Sequence, residues 1–335
     1  MAALKKVAVV GATGAVGEAM LSILAERKFP ASEVVALASE RSAGNRVEYG
    51  DAKIVVRDLA TFDPAGVDIA LFSAGGASSR EYAPRFAAAG AVVIDNSSTF
   101  RYDDDIPLVI AEVNPEAIAQ RPRGIIANPN CSTMQLLVAI APIHRTVGIR
   151  RIEVATYQSV SGAGRKAMEE LGRQSAAMLS MQKFKPVRFP VQIAFNVIPH
   201  IDEFQDNGFT REEMKLIWET HKILGDPSIH VYPTCVRVPV FFGHSEAVHL
   251  VLRAPLTAEA ARKLLRRAPG VRVVDTARDR GYPTPVTHAA GDDAVFVGRL
   301  RNPPGEPDRL NLWIVADNVR KGAALNAVQI AELIV

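Results

Sequence analysis

The chain has 335 residues, 48% of them hydrophobic and 22% charged, with a formal net charge of only +3. That length exceeds one ordinary hydrophobic core and suits two domains. No low-complexity tract, no apolar run approaching about 18 residues and no basic stripe interleaved with aromatics are visible, which argues against a disordered chain, a membrane span or a nucleic-acid partner. The cluster Arg262, Lys263, Arg266 and Arg267 reads as the solvated side of a helix. Mild basicity suits anionic small molecules. Two cysteines, Cys131 and Cys235, make no disulfide framework, so a reducing, cytoplasmic compartment is expected. Lys5-Lys6 precedes an apolar stretch, but that stretch is short and interrupted by glycines, unlike a signal peptide.

The first half alternates strands and helices. Lys6–Val10 is an apolar run of strand type, and residues 15–27 carry Val16, Met20, Leu21 and Leu24 at helical spacing. Glu33–Ala38, Val67–Phe72 and Ala91–Asp95 read as further strands, with an Ala-rich helix over 78–89. Near-continuous apolar strands alternating with helices indicate a doubly wound parallel sheet of Rossmann-like α/β type. After residue 131 the pattern changes. Arg151–Val160, Val231–Val240, Glu246–Arg253, Ala294–Leu300 and Arg309–Ala316 are long strand candidates, with helices over 163–179 and 210–224. Thr210 and Glu213 form a capping box. An α+β domain on a mixed or antiparallel sheet is expected, and the amphipathic segment 320–333 is expected to be a helix that packs back on the first domain.

Gly11-Ala12-Thr13-Gly14-Ala15-Val16-Gly17 joins the first strand to the first helix. There, spaced glycines allow a tight turn and close approach of a pyrophosphate to a helix N-terminus, so the turn reads as a dinucleotide site. The second strand ends Ala38-Ser39-Glu40-Arg41-Ser42. Glu40 would suit the ribose hydroxyls of NAD. The Arg41 guanidinium with flanking hydroxyls suits a 2′-phosphate, and NADP is the expected cofactor. Ser73-Ala74-Gly75-Gly76-Ala77-Ser78 also follows a strand, where cofactor crevices open, although an ordinary turn reads the same.

Cys131 sits in Asn128-Pro129-Asn130-Cys131-Ser132-Thr133, at the start of a helical pattern. A thiol in a first helical turn is biased toward thiolate by the dipole and by unpaired N–H groups. An inert buried cysteine fits the position equally well. Arg237, flanked by Val236 and Val238 on an apolar strand, wants an anionic partner, either a ligand or an internal carboxylate. By spacing alone Glu212 and Lys215 are an ordinary i,i+3 surface pair. Cys235, His244 and His249 lack the paired spacing of a zinc site, and no metal is expected.

Taken together, the glycine turn, Pro129-Asn130-Cys131-Ser132-Thr133, and Cys235-Val236-Arg237-Val238-Pro239 followed by His244-Ser245-Glu246 closely resemble the bacterial type of aspartate-β-semialdehyde dehydrogenase, over essentially the whole chain. Gln158-Ser159-Val160-Ser161-Gly162-Ala163-Gly164 and Asn196-Val197-Ile198-Pro199 agree. The resemblance implies an NADP-binding domain over 1–130, completed by 318–335, and a catalytic and dimerisation domain over 131–317. It implies reversible, NADP-dependent reductive dephosphorylation of β-aspartyl phosphate to aspartate semialdehyde, in lysine, methionine, threonine and diaminopimelate biosynthesis. In that scheme Cys131 forms a thioester, His244 is the acid/base and Gln158 orients the intermediate. Arg237 and Glu212 hold the amino-acid end, Arg101 and Lys215 hold phosphate, and Asn130 lines the substrate groove. Gly11, Thr13, Gly14, Ala15, Val16, Arg41, Ser42, Ser73, Gly75, Ser161, Gly162 and Asn318 hold the cofactor. The family implies a homodimer or tetramer. Alternatives are N-acetyl-γ-glutamyl-phosphate reductase, whose nucleophile motif differs around the cysteine, and a catalytically silent paralogue that binds NADP.

Overall fold

The computed structural model describes residues 4–335, which divide into two compact units, 4–130 with 323–335 and 131–322. In the first unit β1 (Lys5–Val10) leads through the glycine turn into α1 (Ala15–Glu26) and β2 (Ala31–Ala38). A hairpin of β3 (Arg46–Tyr49) and β4 (Ala52–Asp58) follows, then β5 (Ile69–Phe72), α2 (Gly76–Ala88), β6 (Val92–Asp95) and β7 (Ile125–Ala127). The sheet order is β3-β4-β2-β1-β5-β6-β7, parallel throughout except for the β3–β4 hairpin. The chain runs outward from β1 through β2, then crosses to β5 on the other side. The carboxyl ends of β1 and β5 therefore flank a topological switch point, where ligand crevices form in open α/β sheets.

The hairpin and β7 were not expected from the sequence. β3 and β4 lie at the sheet edge and bury few side chains, so they lack the apolar run that marks the central strands. β7 is three residues long.

The second unit opens with α3 (Cys131–Val147) and β8 (Ile149–Gln158), followed by α4 (Arg165–Leu179) and α5 (Arg211–Leu224). Next come β9 (His230–Arg237), β10 (His244–Leu252), α6 (Ala258–Leu265), β11 (Val271–Val273), β12 (Val295–Arg301) and β13 (Arg309–Ala316). The mixed sheet has the order β11-β12-β13-β10-β8-β9. β9 stops at Arg237, short of the expected Val240, because Pro239 has no N–H for a ladder. The capping box of α5 is present, with Thr210 accepting from the Glu213 N–H and Glu213 accepting from the Thr210 N–H.

The closing segment begins with a wide helical turn at Arg320–Ala324 and becomes α-helical only in α7 (Leu325–Glu332). It is not the expected amphipathic helix. Leu325, Asn326, Ala327, Val328, Ile330 and Ala331 are all buried, and α7 joins the core of the first unit with Met20, Leu21 and Leu24 of α1. Asn326 explains how a polar residue sits there: its side-chain amide donates to the Val109 carbonyl and the Asn128 side chain, and its oxygen accepts the Ala111 N–H.

Gly17 sets the packing of the first turn. A Cβ there would collide with the Gly11 carbonyl oxygen and crowd the Ala12 Cα. Gly17→Ala should therefore destabilise the protein by about 1–3 kcal/mol and weaken dinucleotide binding. A denaturation midpoint equal to wild type would show that the turn relaxes freely.

Candidate active site

In the first unit, three expected cofactor segments converge at the switch point. Gly11 has φ +86, and a Cβ on it would lie 2.8 Å from the Ala74 N and the Ser73 carbonyl carbon. The Ser73 N–H and Oγ donate to the Val10 carbonyl at 2.8 and 3.2 Å. The N–H groups of Gly11 and Ala12 donate to Leu37 at the end of β2. Thus the loop after β5 is hydrogen-bonded to the end of β1 and packs closely against Gly11. Gly14 is the N-cap of α1 and no side chain caps that helix, so Thr13, Gly14, Ala15 and Val16 present an uncapped positive helix end. Arg41 and Ser42 form a single 3₁₀ turn beyond β2, with Arg41 exposed and Ser42 partly so. The missing Cβ atoms, the bare helix end and the basic turn fit a dinucleotide. Arg101 also belongs to this unit; it is buried, and its Nε and Nη2 donate to the Ser97 and Asn96 carbonyls at 3.1 and 3.0 Å. Asn130 ends the first segment of the unit, buried.

In the second unit, ladder pairing builds the candidate site. Gln158 pairs with Arg237, and His244 lies beyond the Ser245–Tyr157 pair, so all three reach the same face at the end of the sheet. Gln158 is locked at both ends: its Oε1 accepts from Thr156 at 3.0 Å and its Nε2 donates to Glu212 Oε1 at 3.0 Å. Glu212 Oε2 accepts from Lys215 at 2.9 Å, and Lys215 also donates to Asp202 at 2.8 Å. Glu212 is only 5% exposed. The expectation of an ordinary surface pair is therefore overturned, because α5 turns this edge inward instead of toward solvent. Burial alone would depress the Lys215 ammonium, but Glu212 and Asp202 outweigh it and hold the pKa above the usual lysine value.

The Arg237 guanidinium is buried and donates through Nη1 to the Ser159 carbonyl at 2.7 Å. Its charge lies close enough to His244 to lower the pKa of that ring. His244 is fully buried. Burial, reinforced by Arg237, lowers its pKa to about 3, so the ring is neutral at ordinary pH. Nδ1 accepts the Ser159 N–H at 3.1 Å. The ring proton therefore sits on Nε2, which has no hydrogen-bond partner among the described residues. Gly162 makes room for this edge, since a Cβ there would lie 3.1 Å from Arg237 Nη1 and 3.2 Å from His244 Nε2.

Cys131 is the first residue of α3 and is partly exposed, unlike the inert buried alternative. A Cβ on Gly322 would lie 2.9 Å from the Cys131 Cβ. The next polar side chain along is Asn318, whose Oδ1 accepts from Ser159 Oγ, Ser161 Oγ and the Gly243 N–H at 3.0, 3.1 and 3.0 Å. This network joins the Cys131 neighbourhood to the backbone that holds His244. Ser159, Gly243, Gly322 and Asp202 were missed in the sequence. Ser159 adjoins Gln158 in a motif already singled out, whereas Asp202 gives no local signal. Cys235 is buried, with its thiol pushed well up by burial. His249 points to the opposite sheet face from Cys235 and His244, by the two-residue period.

Residues 6–121 match the family model described as semialdehyde dehydrogenase, NAD binding domain, and residues 140–321 match semialdehyde dehydrogenase, dimerisation domain. An aspartate-semialdehyde dehydrogenase of Legionella pneumophila is 59% identical over 98% of this chain and 95% of its own length. Aspartate-semialdehyde dehydrogenase 2 of Vibrio cholerae is 57% identical, covering 98% and 97%. The chain belongs to the aspartate-semialdehyde dehydrogenase family. It is an oxidoreductase of amino-acid biosynthesis with a nicotinamide-dinucleotide-binding domain. The crystal structure of the Vibrio cholerae family member, aspartate semialdehyde dehydrogenase II, complexed with ASA superposes with a TM-score of 0.97 at 56% identity, covering 99% of this chain and 98% of that one. A family member from Candida albicans, solved with NADP, gives a TM-score of 0.77 at 25% identity, covering 99% and 98%. Among the described residues no cluster of three metal-ligating side chains occurs and no helix is long and apolar enough to cross a membrane.

Neutral His244 has an acid cost. The unfolded ring takes a proton below its ordinary value of 6.5, whereas the folded ring resists until about 3, so the stability it contributes above pH 6.5 is lost as pH falls through that window. His244→Gln should unfold less readily than wild type on acidification from pH 7 to 4, read by denaturant midpoints. Parallel acid profiles would mean that the folded ring titrates at its ordinary value.

Proposed function

We propose that this enzyme carries out the NADP-dependent, reversible reductive dephosphorylation of β-aspartyl phosphate to aspartate semialdehyde, through a Cys131 thioester with His244 as acid/base. The observation that carries the proposal is the joint arrangement of a partly exposed Cys131 at a helix start, a buried Arg237 and a neutral His244 presenting Nε2–H.

The Cys131 thiolate attacks the β-acyl carbon, the carbon–oxygen bond to phosphate breaks, and phosphate leaves. When bound, the nicotinamide supplies one hydride at the thioester carbon. The hemithioacetal then collapses, the carbonyl re-forms and the Cys131 sulfur departs with its electron pair. At each addition negative charge builds on the substrate oxygen, and Nε2–H of His244 is the donor placed to meet it. Because Nδ1 is already committed to the Ser159 N–H, the ring hands over and recovers its proton at Nε2. Arg237 would grip the substrate carboxylate in paired hydrogen bonds, and Glu212, fixed by Gln158, would receive the substrate amino group. Gln158 would orient the intermediate, with Asn130 lining the groove. Lys215 and Arg101 would hold phosphate, Lys215 by exchanging Asp202 for the anion. Gly11, Thr13, Gly14, Ala15, Val16, Ser73, Gly75, Ser161, Gly162 and Asn318 would hold the dinucleotide, and Arg41 with Ser42 the 2′-phosphate.

A homodimer fits the same reading. The mixed sheet covers one face with α3 and α5, while Tyr157, Tyr232, His249 and Trp313 stand on the other. Tyr157 and Tyr232 are 38% and 52% exposed, and a second copy would cover them. A place in the biosynthetic routes to lysine, methionine, threonine and diaminopimelate, and a cytoplasmic setting, belong to the same proposal.

Oxidation of aspartate semialdehyde should require phosphate and NADP, accept arsenate and proceed poorly with NAD. A requirement for the N-acetylated glutamate homologue, or a preference for NAD, would overturn the substrate or the cofactor. Cys131→Ala should lose turnover by at least about a thousandfold while NADP still binds. Arg237→Leu should raise the semialdehyde KM by about tenfold or more. Unchanged turnover in the first variant, or an unchanged KM in the second, would remove that residue from its role.

A further inference from the structure

The helix-covered face of the mixed sheet holds a second polar layer directly behind the row of Arg237, Gln158 and His244. Two residues further from the site along each strand stand Cys235, Thr156, Glu246 and Ile314, paired across the ladders. The next layers, Val154, Val248 and Leu312, then Ile152, Leu250 and Leu310, are wholly apolar. Glu246 is fully buried in the polar layer, and neither carboxyl oxygen has a hydrogen-bond partner among the described residues. The group facing it is the side-chain amide of Gln135 from α3, itself 1% exposed and likewise without a partner for its nitrogen or oxygen. Four buried polar atoms left in this state would cost several kcal/mol, so a fold that keeps both residues needs them for each other.

Their positions tie them to the chemistry. Gln135 is four residues after Cys131, one turn along the same side of α3. Glu246 is two residues after His244 on the same face of β10. Four helical residues advance about 6 Å and two strand residues about 6.6 Å, so helix and strand step together. Contact between Gln135 and Glu246 therefore fixes how the Cys131 end of α3 sits over the His244 end of β10.

We propose that Glu246 and Gln135 form a buried acid–amide clasp that positions the nucleophile helix over the acid/base strand. The clasp rests on the reading of Cys131 and His244 as a working pair, and both of its members are positioning residues. An uncharged carboxyl has one O–H to donate to the amide oxygen and one carbonyl to accept from the amide nitrogen, which would satisfy both groups in one reciprocal pair. Burial pushes the Glu246 carboxyl well above its ordinary value of 4.5, opposed by Gln135. The other titratable or charged groups facing this layer are the Cys235 thiol, pushed well up by burial, Glu213 of α5, which accepts the Cys235 N–H, the neutral His244, and the Arg237 and Glu212 side chains of the site row.

The test uses full-length Glu246→Gln, Glu246→Leu and Gln135→Leu proteins. A neutral amide preserves the clasp, so Glu246→Gln should keep kcat within about threefold of wild type. The two leucine variants should lose about tenfold or more in kcat with little change in KM. They should also raise the pH midpoint for alkylation of Cys131 by iodoacetamide, which Glu246→Gln should leave in place. Folded Glu246 keeps its proton where the unfolded chain releases it above pH 4.5, so wild type loses stability with rising pH and Glu246→Gln does not. The ratio of their unfolding constants should then change by about tenfold per pH unit from pH 5 upward. A constant ratio between pH 5 and 8 would show an ionised Glu246 and overturn the clasp, as would leucine variants that fold and match wild type in kcat and alkylation. Where the leucine variants fail to fold, the ratio alone decides. The alkylation and unfolding readouts need no substrate, so the clasp can fail while semialdehyde turnover stands, or survive if that turnover is absent.

Discussion

The two-residue period of a strand is the constraint from which the candidate site in the second unit follows. Once β8 pairs with β9 and β10 in the observed register, Gln158, Arg237 and His244 are committed to one face at one end of the sheet, and a slip of a single residue would turn all three outward. The register is held by the deeper apolar layers of the same face, such as Val154 with Val248 and Ile152 with Leu250. Packing far from the site thus determines whether the site exists.

The electrostatics follow from that burial. A cation and an imidazole placed side by side in a dry row cannot both be charged cheaply, and the ring is the one that yields its proton. Arg237 keeps its charge because Glu212 lies close, although burial lowers its pKa as well. Glu212 in turn is shared with Gln158 and Lys215. Lys215 and Arg237 are thus tied through Glu212 into one charge network at this end of the sheet. The structure supplies a neutral hydrogen-bond donor at Nε2 and leaves the positive charge to residues that hold it permanently.

Much of this was legible in the residues. The central strands of the first unit are continuous apolar runs, and Gly11, Gly14 and Gly17 mark a turn whose close approaches the structure displays. Cys131 stood out because a Pro-bounded loop meets a helical pattern there, and α3 does begin at that residue. What stayed hidden has a common cause. β3 and β4 are edge strands with few buried side chains, so they show no apolar periodicity, and α7 was legible as a helix although its burial nearly all round was not. Glu212 and Lys215 looked like a solvated pair because spacing along α5 cannot reveal that β9 and Gln158 close over it. Ser159 was visible only as part of a motif. Its role is carried by its backbone N–H and carbonyl, which no side-chain pattern reports.

The polar layer behind the site row explains why a buried acid is compatible with this balance. An ionised Glu246 would add a second buried negative charge to the face already carrying Glu212, and it would oppose formation of a thiolate at the end of α3. A protonated carboxyl contributes shape and one reciprocal hydrogen-bonded pair without contributing field. On the proposed reading of Cys131 as a thiolate nucleophile, α3 needs position without added charge. The same logic accounts for Cys235, whose thiol is pushed well up in pKa by burial and by Glu212, so that the layer as a whole stays uncharged beneath the charged one.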